Sequence, residues 1–335
     1  MPTLPERIYQ YYCDKVAQET ERRYFGASEC GHECDRYLWL NFRKAFSHKW
    51  EGRMLRLFDT GHRAESRFVD ELSSIGFDVR AFDKDGNQFA AESHNGHKKG
   101  HLDGVAKGDG RDWFLVEFKT HSAKSFRKLE KDGLDAFPKH FAQMQYYMGQ
   151  KELSNGLYMA ENKDNSEVMC IWVAFCASSY KAIMERSERI IMADRSPECL
   201  DDWSCKFCNA RGVCKGEEIP RLGCRTCVHS TPGDNGKWVC EIGGEIPAYV
   251  EREGCPEHLY HPHMMPWEAV DSGDGWILYA NGVCNCAPKG MPTITDDNAP
   301  VIYASEELAL LDVDQVGEAV EMCKQMFGGK VVEDA

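Results

Sequence analysis

The sequence predicts an α/β fold, a mixed central sheet flanked by helices. Three observations carry this. The elements legible in the chain run helix, three strands, helix, two strands, helix, an order that packs helices over a sheet. Apolar residues recur at helical spacing in some segments and alternate in others. At 335 residues, 42% hydrophobic and 28% charged, the chain is long enough for one large domain and a smaller one.

Taken in order, GRMLRLFDTGHRAESRFVDELSSI (about 52 to 75) sets Leu55, Phe58, Phe68, Val69 and Leu72 at helical spacing. FDVRAF starts a strand at Phe77. GHLDGVAKGDGRDWFLVEFKTH is a hairpin: a strand through Leu102 and Val105, a turn at GDGRD, and a second strand over 113–120. PKHFAQMQYYMGQ forms a helix beginning just after Pro138. NGLYMAEN and EVMCIWVAF, rich in β-branched and aromatic residues, are two further strands. SSYKAIMERSERIIMADR is a helix capped at Ser178 or Ser179. From Cys205 the texture turns to Cys, Gly, Pro and His in short loops that a metal must hold if they are ordered, and the tail returns to helix. The expected division is a first domain over 1–218, a Cys/His module over 219–270, and a small segment over 271–335 ending in a helix.

No run approaches the ~18 apolar residues of a membrane helix. MPTLPERIYQ lacks the basic start and apolar core of a signal peptide, so a reducing cytoplasm is the expected location. There, 16 cysteines point to metal rather than to disulfides. A net charge of −14 argues against nucleic-acid binding through the whole-molecule field. Any such contact needs a local basic strip. Lys124, Arg127, Lys128 and Lys131 supply one, with Phe126 between them placed to stack on a base.

Side chains on a strand alternate faces, so Glu117 and Lys119 in VEFKTH share one. Asp103 lies on the expected partner strand, about 5 Å away. On the preceding helix His62 and Glu65 are three residues apart and share a face. Three gathered carboxylates repel one another unless a divalent cation neutralises them. Oxygen ligands of this kind suit Mg²⁺ or Mn²⁺.

The set Leu102-Asp103, Glu117-Phe118-Lys119, GHRAE and Gln143 to Tyr147 as Q-x-x-x-Y resembles the PD-(D/E)xK nuclease superfamily, most closely its RecB-like exonuclease branch. The proline of the first motif is absent here. The resemblance implies a restriction-endonuclease-like core with a cysteine-rich, metal-stapled C-terminal region. It also implies metal-dependent hydrolysis of DNA, in the exonuclease manner, in phage or bacterial recombination, replication or repair. Proteins of those processes would be its partners. Asp103, Glu117 and the backbone carbonyl of Phe118 would ligate the cation, with Glu65 or His62 completing the shell. Lys119 would orient the attacking water, and Gln143 and Tyr147 would position the strand.

CKFCNARGVC provides Cys205, Cys208 and Cys214, and Cys34 upstream would be a fourth ligand. This arrangement resembles the iron–sulfur nucleases, CRISPR-associated RecB-like and AddAB-type, and implies a [4Fe–4S] staple. Zinc would fit the same four thiolates, and Cys30 is the rival of Cys34. Cys224, Cys227, Cys240 and Cys255, with His258 able to replace Cys255, have the spacing of a structural Zn²⁺ site. CRTCVHSTPGDNGKWVC and GCPEHLYHP look like part of a group of phage-encoded nucleases. Cys13, Cys170, Cys176, Cys199, Cys284, Cys286 and Cys323 lack ligand spacing and are expected to pack. Two rivals stand beside the nuclease: a nuclease-like protein that only binds DNA or a partner, and an iron–sulfur redox protein. The intact carboxylate set opposes the first. The lack of a Gly-rich dinucleotide loop after a strand opposes the second.

Overall fold

RDWFLVEFKTH forms the longest strand of the protein, Arg111–His121 (β3), in which five successive residues from Phe114 to Phe118 are buried. Burial on both faces marks a strand in the middle of a sheet covered on both sides. In the computed structural model, which describes residues 2–290 and 300–327, that sheet has five strands in chain order. They are Asp78–Arg80 (β1), Gly104–Gly108 (β2), β3, Asn155–Asn162 (β4) and Val168–Ala174 (β5). Neighbours are antiparallel except β3 and β4, which run parallel with Glu117 beside Tyr158 and Lys119 beside Ala160. A parallel pair needs a long crossover. Here it comprises the helices Ala123–Asp132 (α3) and Pro138–Gln150 (α4).

The helix Gly52–Ser74 (α2) lies on one sheet face, where Ala64, Phe68 and Leu72 pack against Phe114, Val116, Phe118, Leu157 and Met159. Phe68 stacks on Phe118 at 5.1 Å. Residues of β3 two apart share a face, so Leu115, Glu117, Lys119 and His121 point to the other side. Helix α4 packs there. At Gly156, beside Leu115, a side chain would meet Met144 Cε at 2.8 Å and Met148 Sδ at 3.3 Å. The helix Leu4–Ala17 (α1) packs on α2, and Ala177–Ile191 (α5) follows β5.

Contacts within the chain group Met1–His32 with Lys49–Arg189 as one unit, and Glu33–His48 with Ile190–Ala335 as a second. In the second unit, the helix Asp35–Phe42 buries Leu38, Trp39 and Leu40. Arg43 lies between the rings of Trp39 and Trp238, and Arg225 over Trp238 pairs with Glu251 at 3.1 Å. A three-stranded sheet, Ser230–Pro232, Trp238–Cys240 and Gly244–Ile246, follows the first C-x-x-C of the module. A four-stranded sheet, Ala269–Gly273, Trp276–Tyr279, Val283–Cys286 and Val301–Tyr303, shares a core of Tyr260, Ile277, Tyr279, Val283, Leu308, Val316 and Val320.

Four sequence expectations change. The strand expected through Leu102 and Val105 is broken: Lys98–His101 belongs to a small sheet with Phe25–Gly26 and Ala90–Ser93, and β2 starts only at Gly104. The basic segment after β3 is a helix that buries Phe126 and Leu129, so Phe126 cannot stack on a base. The last cap shifts, because α5 begins at Ala177 and Ser178 and Ser179 lie in its first turn. The region after residue 269 is a sheet with its own apolar core rather than loops alone. Among the described residues no helix is long and apolar enough to cross a membrane.

Candidate active site

Strand alternation places Glu117 and Lys119 side by side on the α4 face of β3. Glu117 is 0% exposed. Its Oε1 accepts a hydrogen bond from Lys119 Nζ, which also donates to the Phe118 carbonyl at 3.1 Å. Its Oε2 is buried with no hydrogen-bond partner among the described residues. Asp103 reaches the same place from the break before β2. Where the strand pairing ends at Gly104, Asp103 Oδ2 accepts the Phe118 N–H at 2.7 Å in place of a backbone carbonyl, and it lies 3.9 Å from Lys119 Nζ. The broken strand thus supplies a carboxylate that a continuous one would have turned into a ladder position.

Burial pushes the Glu117 carboxyl up to about 7, the charges of Asp103 and Glu65 add to this, and Lys119 opposes it. Burial works against the Lys119 ammonium, but Glu117, Asp103 and Glu65 outweigh it and hold its pKa above the ordinary lysine value. Glu65, on α2, is raised by burial and by Asp103, with His62 and Lys119 acting the other way. These shifts describe one electrostatic unit of three carboxylates around one amine.

Helix α4 closes the site. Gln143 and Tyr147 are buried, with Gln143 Nε2 3.4 Å from the Tyr147 hydroxyl, which donates to the His101 carbonyl at 2.8 Å. Tyr147 therefore anchors the strand that leads into Asp103. That approach requires Gly100, where a Cβ would stand 2.5 Å from the Tyr147 hydroxyl and from Ala27 Cβ. His62, Glu65, Asp103, Lys119, Gln143 and Tyr147 all line one cavity of about 310 Å³. Arg22, Tyr24 and His101 line it too. Those three carry no motif or periodicity, and nothing in the sequence signals them. Behind the site the Tyr158 hydroxyl joins His121 Nε2 and His140 Nδ1, each at 2.8 Å, donating to one ring and accepting from the other. Burial holds these imidazoles down to about 4 and about 3, so both are neutral at pH 7.

Among the described residues no group of three or more His, Cys, Asp or Glu side chains is assembled to hold a metal ion. The donor chemistry nevertheless fits a hard cation. An unpartnered carboxylate oxygen in a buried site costs a kilocalorie or more, and it lies among oxygen donors that suit Mg²⁺ or Mn²⁺.

The expected iron–sulfur ligands, Cys34, Cys205, Cys208 and Cys214, all lie in the second unit. Cys34 Sγ caps its helix by accepting from Tyr37 N at 3.5 Å. Burial raises the Cys214 thiol pKa, Arg36 opposes this, and Cys199 and Cys34 raise it further. Cys199, expected only to pack, lines a cavity with Cys214 and Arg36. Cys205 and Cys208 lie on or beside the turn Trp203–Phe207, where Cys208 N donates to Cys205 O at 3.2 Å. Cys30 is buried in the other unit near Lys98 and Arg186. The expected zinc set, Cys224, Cys227, Cys240 and Cys255 with His258, lies wholly in the second unit but is not assembled as a metal-holding group among the described residues. The Cys224 thiol is pushed up to about 11 by burial and then by Cys255, Cys227 and Cys240. His258 Nε2 is 3.1 Å from the Gly223 carbonyl, and its buried Nδ1 has no partner among the described residues. Of the cysteines expected to pack, Cys284 and Cys286 are buried, whereas Cys170 is exposed.

No protein-family model and no curated protein sequence matches this chain. Solved structures overlap it loosely. The crystal structure of SSO0001 shares 15% identity at a TM-score of 0.39, covering 64% of this chain and 96% of that one. LHK-Exo, an alkaline exonuclease from Laribacter hongkongensis, shares 14% at a TM-score of 0.38, covering 54% of this chain and 89% of that one. Its complex with dAMP gives the same values over 50% and 85%. Overlaps this loose carry no functional weight.

Proposed function

We propose that the protein is a metal-dependent deoxyribonuclease of the PD-(D/E)xK type, acting as an exonuclease in phage or bacterial DNA recombination, replication or repair. One observation supports this most: the unpartnered, fully buried Glu117 oxygen beside Lys119 and Asp103. In a merely structural ion pair both carboxylate oxygens would be satisfied.

Asp103, Glu117 and the Phe118 carbonyl would hold Mg²⁺ or Mn²⁺, with Glu65 or His62 completing the shell. When bound, the ion supplies Lewis-acid polarisation of a phosphodiester and acidifies a water molecule. Lys119 orients that water by hydrogen bonding and balances the charge that grows on the phosphate as the P–O bond breaks. Tyr147 and Gln143 keep the wall that carries Asp103 in register and bound the space for the DNA strand. Cys34, Cys205, Cys208 and Cys214 would hold a [4Fe–4S] cluster. Cys224, Cys227 and Cys240, with Cys255 or His258, would hold Zn²⁺. Both groups would act as staples for the second unit.

The test is a time course on end-labelled and circular DNA with Mg²⁺, Mn²⁺ or EDTA. Metal-dependent release of nucleotides from ends supports the reading. Inert DNA under every metal condition overturns it.

A further inference from the structure

The cavity face of α2 continues beyond His62 and Glu65. Phe58 precedes His62 by four residues and Glu65 by seven, so the three share a helix face, with Phe58 one turn, about 6 Å, farther along the axis. Phe58 remains 39% exposed and Trp50, just before the helix, 43%. Their rings meet edge to face, with centroids 5.1 Å apart and planes at 86°. The sequence placed Phe58 in the apolar set of α2, yet the buried residues of that helix are Gly52, Leu55, Ala64, Phe68 and Leu72. Trp50 and Phe58 therefore form an aromatic corner on the surface next to the cavity.

Packing of the helix start explains only part of this. A tryptophan before the N-cap residue commonly covers the first turn, but here it meets a ring two turns in and both keep about two-fifths of their surface. Exposed Lys49 precedes Trp50, and Arg22 lines the cavity that His62 and Glu65 share. Flat apolar faces with a lysine beside them, one helical turn from a polar cavity, match the chemistry of a nucleotide strand.

We infer that Trp50 and Phe58 form a stacking platform for an unpaired nucleobase of the strand whose phosphate enters the cavity. This rests on the nuclease reading and deepens it: the strand reaches the site single-stranded or frayed. Neither ring touches the reacting atoms; they bind and place the substrate.

The test measures anisotropy of a fluorescein-labelled oligothymidylate and its all-abasic counterpart in EDTA, with cleavage in Mn²⁺ followed separately. The wild type should bind the oligothymidylate on the order of tenfold more tightly than the abasic strand. Phe58→Leu and Trp50→Leu, which keep apolar packing without a flat ring, should lose that preference while thermal melting and abasic affinity stay unchanged. Phe58→Tyr should restore it. Wild-type discrimination by the leucine variants overturns the platform. Cleavage without base-dependent binding overturns the platform and spares the nuclease. Base-dependent binding without cleavage does the reverse, and neither activity overturns both.

Discussion

The carboxylate site and the cysteine-rich turns both carry side chains able to ligate a cation, but they are secured differently. Glu117 and Lys119 are fixed by a strand paired on both sides, and Asp103 by the Phe118 N–H. The backbone therefore forms that site before any ligand arrives. Cys224 and Cys227 belong to a three-residue turn and its cap, Cys240 ends a short strand, and Cys255 is exposed. That turn is tied largely to distant segments, Cys224 N to the Glu251 carbonyl and Val228 N to the Leu259 carbonyl, each at 2.9 Å, rather than to a ladder of its own. On the reading proposed above, regular structure would build the site for chemistry, and loops would supply the ligands of structural metals.

This contrast can be broken at several points. The largest effect is expected at Lys119. Lys119→Ala and Glu117→Gln should each reduce metal-dependent cleavage by roughly 10²–10³-fold or more. Glu117→Gln should nonetheless melt no lower than the wild type, because it removes a buried charge. A Glu117→Gln protein that cleaves normally would show that the strand builds no catalytic site.

On the cysteine side, Cys224→Ser should lower bound zinc by one ion per chain and reduce stability by several kcal/mol. Elemental analysis with thermal melting checks this. Unchanged metal content would remove the staple. Phe126→Ala should cost about 3–5 kcal/mol, as for a core phenylalanine, and chemical denaturation measures it. A surface residue would cost far less.

A smaller effect separates the metal-free and loaded states. The Glu117 pKa lies near 7 against an ordinary 4.5, so in metal-free protein the folded state holds more protons than the unfolded state in between. Stability should then decline as pH rises from about 4.5 to 7, by on the order of 1–3 kcal/mol, and Glu117→Gln should abolish the decline. Denaturant titrations in EDTA across that window decide it. The smallest effect is expected for Tyr147→Phe, which loses the hydrogen bond to the His101 carbonyl and the longer one from Gln143, at about 1 kcal/mol. Its cleavage should fall through kcat more than through KM, because the hydroxyl holds the wall that carries Asp103.

Local pattern by itself determined much of this protein. Alternation along VEFKTH assigned Glu117 and Lys119 to one face, and helical spacing placed His62 with Glu65 and Gln143 with Tyr147. These properties follow from periods of 2 and 3.6 residues, which need no knowledge of the rest of the chain. Other features were settled only by tertiary structure. They include the break that frees Asp103 from the ladder, the burial of Phe126, and the arrival of Arg22 and Tyr24 at the cavity. Cys199 came to share a cavity with Cys214 in the same way. Each depends on which distant segment packs against a residue, and that choice is made by the whole core rather than by neighbours in sequence.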